Sequence, residues 1–323
     1  MVPPRNPVVL SGELWGIAAY FNPVRYANRL ENAKRFSAEV RRQGLRLLIV
    51  ELALDDHNFA LDGTVADRLV QIKTKSILWQ KERLLNIALD HLPQTCDRVV
   101  WLDVDILFEN HDWVRQTEKL LTEYVVVQPY SIAWWLPAGV REIPKTITAD
   151  KLVAIKHGLA YTQSQTVQSR ETFGHLGFCW AARRAVLQQH KFYDRLIMGF
   201  GDFAICWGIY GDRFDHPVMN VVRDLFSPAQ LKDLSTWQNT FHADIRGSSF
   251  YVEGRVFHLW HGKELHRQHF ERLAVLRTHA FDPSCDIALD SNGCWRWSTE
   301  KRALHEAVER YFRARKEDTA ILL

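Results

Sequence analysis

Two carboxylates one residue apart, Asp103 and Asp105, follow the apolar run Val99-Val100-Trp101-Leu102. Where a strand breaks into a turn, such a pair can face one cleft. Its chemical use there is to hold a hard divalent cation, which in turn clamps a diphosphate. The plainer reading is a pair of solvated turn aspartates. A second group stands far downstream: His258 and His261, three residues apart beside Gly262. Both imidazoles can offer nitrogen to the same ion, and mixed carboxylate–imidazole ligation suits Mn²⁺ better than Mg²⁺ or Ca²⁺. The alternative is one histidine packed on Trp260 and one capping a turn.

The third feature is Gly199-Phe200-Gly201-Asp202. Glycines let the backbone approach a ligand closely, and Asp202 stands at the mouth of a helix. It is either an ordinary N-cap or a carboxylate that takes the proton of an acceptor hydroxyl. Lys81 lies near a helix start in Trp79-Gln80-Lys81-Glu82-Arg83. The helix dipole disfavours a cation there, and a bound anion would relieve it. Lys81 or Arg83 then faces donor phosphates, or else covers a solvated helix face. Arg267 and Arg272, after the His261-Gly262 turn, are open to the same two readings.

These residues need a frame. Residues 14–22 read as a buried strand, the segment after Pro23 as an amphipathic helix stopped by Gly44, and 45–54 as a second strand. Residues 76–91 form a strong helix and 97–103 a third strand, running into Asp103-Val104-Asp105. The order β-α-β-α-β is that of a wound α/β sheet, in which ligands bind at the carboxyl ends of the strands. Residues 123–130 read as another strand, and 131–170, with Trp134 and Trp135, as a long loop with short helices. A turn, strand and helix start are expected over 174–187, and a glycine loop into a helix over 192–210. A strand follows over 255–262, then helices over 264–278 and 300–316.

Composition bounds the classes. Of 323 residues, 47 % are hydrophobic and 24 % charged, which excludes a disordered chain. A net charge of +3, from 41 basic and 38 acidic residues, is too weak to argue nucleic-acid binding by itself. Twelve Trp lean toward a sugar or base ligand, although most are expected in the core. Five Cys without CxxC spacing favour a reducing cytoplasm. No apolar run reads as a signal peptide or membrane anchor.

Several segments together resemble one family. In order they are YFNP with Arg29 and Asn32, WQKERLLN, WLDVDILF, GHLGFCWAARR, FYD with GFGD, HLWHG with Arg267, and YFRARKED at 311–318. The set is similar to the GT-A glycosyltransferases, especially bacterial and phage-encoded members similar to the C-terminal region of the galactosyltransferases. The resemblance implies a GT-A domain over 1–280 and a helical extension over 281–323 packed on it. It implies Mn²⁺ or Mg²⁺ held by Asp105, His258, His261 and Asp103. A nucleotide-diphosphate sugar, UDP-sugar first, would lie on Asn22, Arg29, Lys81, Asp103, Asp105, Gly174 and Arg267. The acceptor would meet Trp134, Trp135, Gly201 and Asp202, with Asp202 the base of an inverting reaction.

The galactosyltransferases carry a Glu-Asp pair where this chain has a single acid, so the stereochemical outcome is open. The implied acceptor is a saccharide or glycolipid, or a hydroxymethyl-pyrimidine in phage-type DNA. The implied setting is the cytoplasm of a bacterium or a phage-infected host. Other classes that the residues allow are a haloacid-dehalogenase-like phosphatase with Asp103 as nucleophile, and a non-catalytic sugar-nucleotide-binding module.

Overall fold

The computed structural model describes residues 7–146, 152–165, 174–214 and 218–318. Residues 147–151 and 166–170 of the expected 131–170 loop lie outside the described residues. The chain opens with β1 (Glu13–Phe21), α1 (Ala27–Arg42), β2 (Arg46–Leu54), β3 (Arg68–Thr74), α2 (Lys81–His91) and β4 (Cys96–Leu102). Strands β2 and β4 flank β1, both parallel to it, and β3 lies beyond β2. The strand order therefore reverses between β1 and β4, and a crevice opens at the carboxyl ends of those two strands.

Burial explains why these strands form. Along β2, Leu48, Val50 and Leu52 enter one core while Leu47 and Ile49 enter the other. Both faces are covered, so the strand reads as a continuous apolar run. Glu51 interrupts it and is 2 % exposed. Its carboxylate accepts from the amides of Ala60 and Leu61 and from Gln71, and so ties the 55–67 loop to the sheet. Helix α1 packs Ala33, Phe36 and Val40 inward, one stripe at helical spacing.

After β4 the chain turns through Asp103-Val104-Asp105 into β5 (Ile106–Phe108), followed by α3 (Trp113–Glu123) and β6 (Val126–Gln128). Next come β7 (Ile132–Trp135), β8 (Ala154–His157), α4 (Leu159–Ser164), β9 (Cys179–Arg183), α5 (Arg184–His190) and α6 (Gly201–Tyr210). Then follow α7 (Val218–Leu225), α8 (Pro228–Ile245), β10 (Ser249–Tyr251), β11 (Arg255–His258) and α9 (Glu271–Thr278). A hairpin, β12 (Ile287–Leu289) with β13 (Trp295–Trp297), and α10 (Arg302–Ala314) come last.

The main sheet runs β10-β6-β9-β4-β1-β2-β3, with β9 antiparallel to both neighbours. A second sheet runs β5-β11-β7-β8, with β11 antiparallel to β5 and parallel to β7. The α/β expectation is met.

Several local expectations shift. Strand β3 has no counterpart in the sequence reading, because its half-exposed edge sequence RLVQIKT carries no apolar run. Helices α7 and α8 fall in a stretch given no reading. The 76–91 helix begins at Lys81, and the 264–278 helix divides into a 3-10 turn at Glu264–Arg267 and α9. Residues 132–135 of the expected loop are a strand. All five cysteines are free, Cys285 and Cys294 included. Among the described residues no helix is long and apolar enough to cross a membrane.

Ser227 caps α8: its Oγ accepts from the Gln230 amide at 3.1 Å and donates to the Phe281 carbonyl. Ser227→Ala should cost about 1–2 kcal/mol, read as a lower urea midpoint with unchanged slope.

Candidate active site

Main-chain pairing assembles the centre. The Asp103 amide donates to the Phe178 carbonyl at 2.8 Å, and the Leu259 amide donates to the Asp105 carbonyl at 2.8 Å. Antiparallel pairing of β5 with β11 sets His258 opposite Ile106. The Asp105 turn and the histidines, distant in sequence, thus become neighbours. Asn32 donates to the Trp260 carbonyl at 3.1 Å and fixes the turn that carries His261.

Asp105 Oδ2 lies 3.0 Å from His261 Nε2, and Oδ1 lies 3.8 Å from His258 Nε2. The two histidines approach to 3.2 Å between their Nε2 atoms. One ligand atom from each of Asp105, His258 and His261 falls within 4.8 Å of the others. Asp105 Oδ1 is buried without a hydrogen-bond partner. Burial pushes the His258 imidazole well below its ordinary pKa, against the pull of Asp105, so its nitrogen lone pair is free at neutral pH. A carboxylate oxygen without a donor and a neutral imidazole are what a divalent cation requires.

Asp103 stands apart from that cluster. Lys81 Nζ sits 2.6 Å from Asp103 Oδ1 and 3.2 Å from Asp202 Oδ1, bridging the two carboxylates. The chain itself thus supplies anions to the cation at this helix start. Burial would lower the Lys81 pKa, but Asp103 and Asp202 outweigh it and hold the ammonium charged. Burial also pushes the Asp103 carboxyl up to about 6, against the pull of Lys81. Arg83 turns away to Asp194 at 3.2 Å.

Asp202 lies in the first turn of α6, behind Gly199 and Phe200, both of positive φ. The N-cap position of α6 is held by Phe200, and Asp202 is the second residue of the helix, so the N-cap reading is not met. Of the three aspartates it is the most open, at 37 % exposure against 26 % for Asp103 and 14 % for Asp105. Gly201 is required by close approach: a Cβ there would stand 1.8 Å from Glu82 Oε1. Burial pushes the Glu82 carboxyl up to about 7.

A cavity of about 680 Å³ joins these groups. Its lining includes Asn22, Arg29, Lys81, Asp103, Asp105, Trp135, Gly174, Gly201, Asp202, His258, His261 and Arg267. Asn22 lines it, although its amide is committed to Tyr20 and Tyr26 and shapes the turn after β1. Arg267 donates to His261 Nε2 at 3.0 Å. Trp134 is the exception. Successive strand residues face opposite ways, so Trp135 lines the cavity while Trp134 packs edge-on against Phe257 beneath Arg255.

Sequence reasoning missed three further groups. Glu317 lies 3.1 Å from Arg29 and 3.5 Å from His261 Nδ1, and also pairs with Arg315. Burial would raise its pKa, but the two arginines hold it well below the carboxylate range. His175 lines the cavity with Nε2 buried and unpartnered. Phe178, at φ 76°, stacks on His258 with centroids 5.0 Å apart. The available signals were the GHLGFCWAARR segment, which carries His175 and Phe178, and the 311–318 segment, which carries Arg315 and Glu317; neither reveals the partners of these residues.

No protein-family model matches the chain, and no curated protein matches it by sequence. Among solved structures it is similar to the catalytic domain of Drosophila β1,4-galactosyltransferase 7, solved with xylobiose. That likeness has 15 % identity over 60 % of this chain and 59 % of that one, with a TM-score of 0.31. The chain thus spans about three fifths of that structure's length. It is also similar to glucosyl-3-phosphoglycerate synthase from Mycobacterium tuberculosis, solved with Mn²⁺, UDP and phosphoglyceric acid. Here identity is 14 % over 83 % of this chain and 76 % of that one, with a TM-score of 0.39. A third is 4-diphosphocytidyl-2C-methyl-D-erythritol synthase from Anaerococcus prevotii, at 12 % identity over 76 % and 88 %, TM-score 0.36. Likenesses at these scores carry no activity over to this chain.

Proposed function

We propose that the protein is a metal-dependent GT-A glycosyltransferase that moves a sugar from a nucleotide-diphosphate sugar to an acceptor hydroxyl. The observation that carries this is the meeting of Asp105, His258 and His261 in one cavity with the open carboxylate of Asp202. That cavity sits at the strand-order reversal, where wound sheets bind nucleotides.

Asp105, His258 and His261 would hold the divalent cation, and their mixed oxygen and nitrogen donors favour Mn²⁺ over Mg²⁺. When bound, the cation supplies Lewis-acid neutralisation of the departing diphosphate. Asp103, next along the cavity, presents a carboxylate to donor hydroxyls. Arg267 and Lys81 give positive charge to the wall that faces the phosphates. Trp135 offers an apolar face of the kind sugars pack on.

Asp202 accepts the proton of the acceptor hydroxyl as its oxygen attacks the anomeric carbon. The new carbon–oxygen bond forms as the bond to the diphosphate breaks, and its electron pair leaves with the nucleotide. A single displacement of this kind inverts the anomeric centre. The acceptor supported here is a saccharide. The paired Trp134 and Trp135 faces that would help grip a DNA base are not presented together, since Trp134 lies outside the cavity lining.

Asp105→Ala should weaken UDP binding in the presence of Mn²⁺ by more than about tenfold, measured by calorimetry; EDTA should do the same to the wild type. Undiminished binding would refute the ligand role. Asp202→Asn should keep that binding and lower transfer by roughly 10²–10⁴-fold. Wild-type turnover in this variant removes the base assignment, and a product of unchanged anomeric configuration by NMR removes inversion.

A further inference from the structure

Four arginines line the cavity: Arg29, Arg267, Arg272 and Arg315. Arg29 and Arg315 share Glu317, and Arg267 stands 4.0 Å from Glu264. Arg272 has no carboxylate partner among the described residues, yet it is only 7 % exposed. Its polar partner is the Tyr311 hydroxyl, which accepts from Arg272 and, at 3.1 Å, from Arg315. Its Nε is buried without a partner.

Aromatic faces make up much of the remaining surroundings: Trp79 at 5.3 Å, Phe200 at 5.1 Å and Tyr311 at 5.4 Å from the guanidinium carbon. Such faces hold a cation but do not neutralise it. Burial pushes the Arg272 pKa down, and Arg315 adds to this. A guanidinium stays charged even so, and a buried charge without a counter-charge is unfavourable. The missing partner is an oxyanion, which the planar guanidinium fork binds bidentately.

The position says which substrate carries it. Phe200, which packs on Arg272, immediately precedes α6, the helix that holds Asp202. Gly199, at φ +88°, packs its backbone closely on the guanidinium: a Cβ there would stand 3.1 Å from an Arg272 terminal nitrogen. Lys81 and Arg267 already supply positive charge to the wall given to the donor phosphates, so the donor does not require Arg272. Resting on the transferase reading, we infer that the acceptor is an anionic sugar whose carboxylate or phosphate is bound by Arg272 while its hydroxyl faces Asp202.

The test is calorimetry on wild-type protein saturated with UDP and Mn²⁺. The probes are hexuronic acids, hexose phosphates and the parent neutral hexoses, in gluco, galacto and manno configurations. At least one anionic sugar should bind about tenfold tighter than its neutral parent. Preference for the uronic acid or for the phosphate identifies the source of the anion. Arg272→Gln should abolish the preference and Arg272→Lys should keep part of it.

Equal or undetectable binding of all three classes overturns the inference. So does binding of the anionic sugar to the UDP-free protein alone, lost once UDP is present, which would assign the site to the donor. Tighter binding of a short single-stranded oligonucleotide than of any sugar also overturns it. The wild-type comparison needs no variant, so it stands even if Arg272→Gln fails to fold. UDP binding, read separately, tests the transferase reading: its loss would remove that reading while leaving the anion preference to be scored.

Discussion

The pairing of Ile106 with His258 is the contact on which the centre depends. Strand β5 is three residues long and β11 four, so the junction is small. It is nonetheless the reason why an aspartate at the end of β4 meets two histidines far along the chain. A slip of one residue would turn His258 to the opposite face of its strand. The bond from the Leu259 amide to the Asp105 carbonyl, and that from Asn32 to the Trp260 carbonyl, hold the register on either side. Helix α1, which supplies Asn32, is itself locked to the sheet by its buried stripe.

Charge in the cavity is arranged in alternation. Lys81 lies between two carboxylates, and Glu317 lies between Arg29 and Arg315. Lys81 and Glu317 thereby meet opposite charges, which is the condition for keeping them inside a fold, and Arg272 is the exception. Two aromatic residues, Phe178 and Phe200, hold left-handed backbone at φ 76° on the cavity wall. Such positions cost about 1–3 kcal/mol each and persist where the surroundings over-determine them. Phe178 is over-determined by its carbonyl's bond to Asp103 and by its stacking on His258.

The central strands were legible because burial on both faces leaves only apolar residues to read. The edge strand β3 was not, since one side of it meets water and its charged residues mask the pattern. Asp103, Asp105, Asp202, His258 and His261 stood out by type and spacing, and the fold brings them to one cavity. What spacing cannot express is partnership. Lys81 meets Asp202 across 121 positions, and Arg29 meets Glu317 across 288. Trp134 and Trp135 looked like a pair because adjacency in sequence resembles adjacency in space, which strand geometry denies. Arg272 gave no distinguishing signal, because its lack of a counter-charge is a property of its surroundings.

The single ammonium of Lys81 has a consequence of a different kind. It divides its field between Asp103 and Asp202, which the proposed transferase reading gives to the donor and to the acceptor. A molecule that draws Asp103 away leaves more of that field to Asp202, and one that engages Asp202 returns it to Asp103. Thermodynamic linkage makes such an influence equal in both directions. On that reading the two halves of the cavity are coupled through Lys81, and what fills one shifts the affinity of the other.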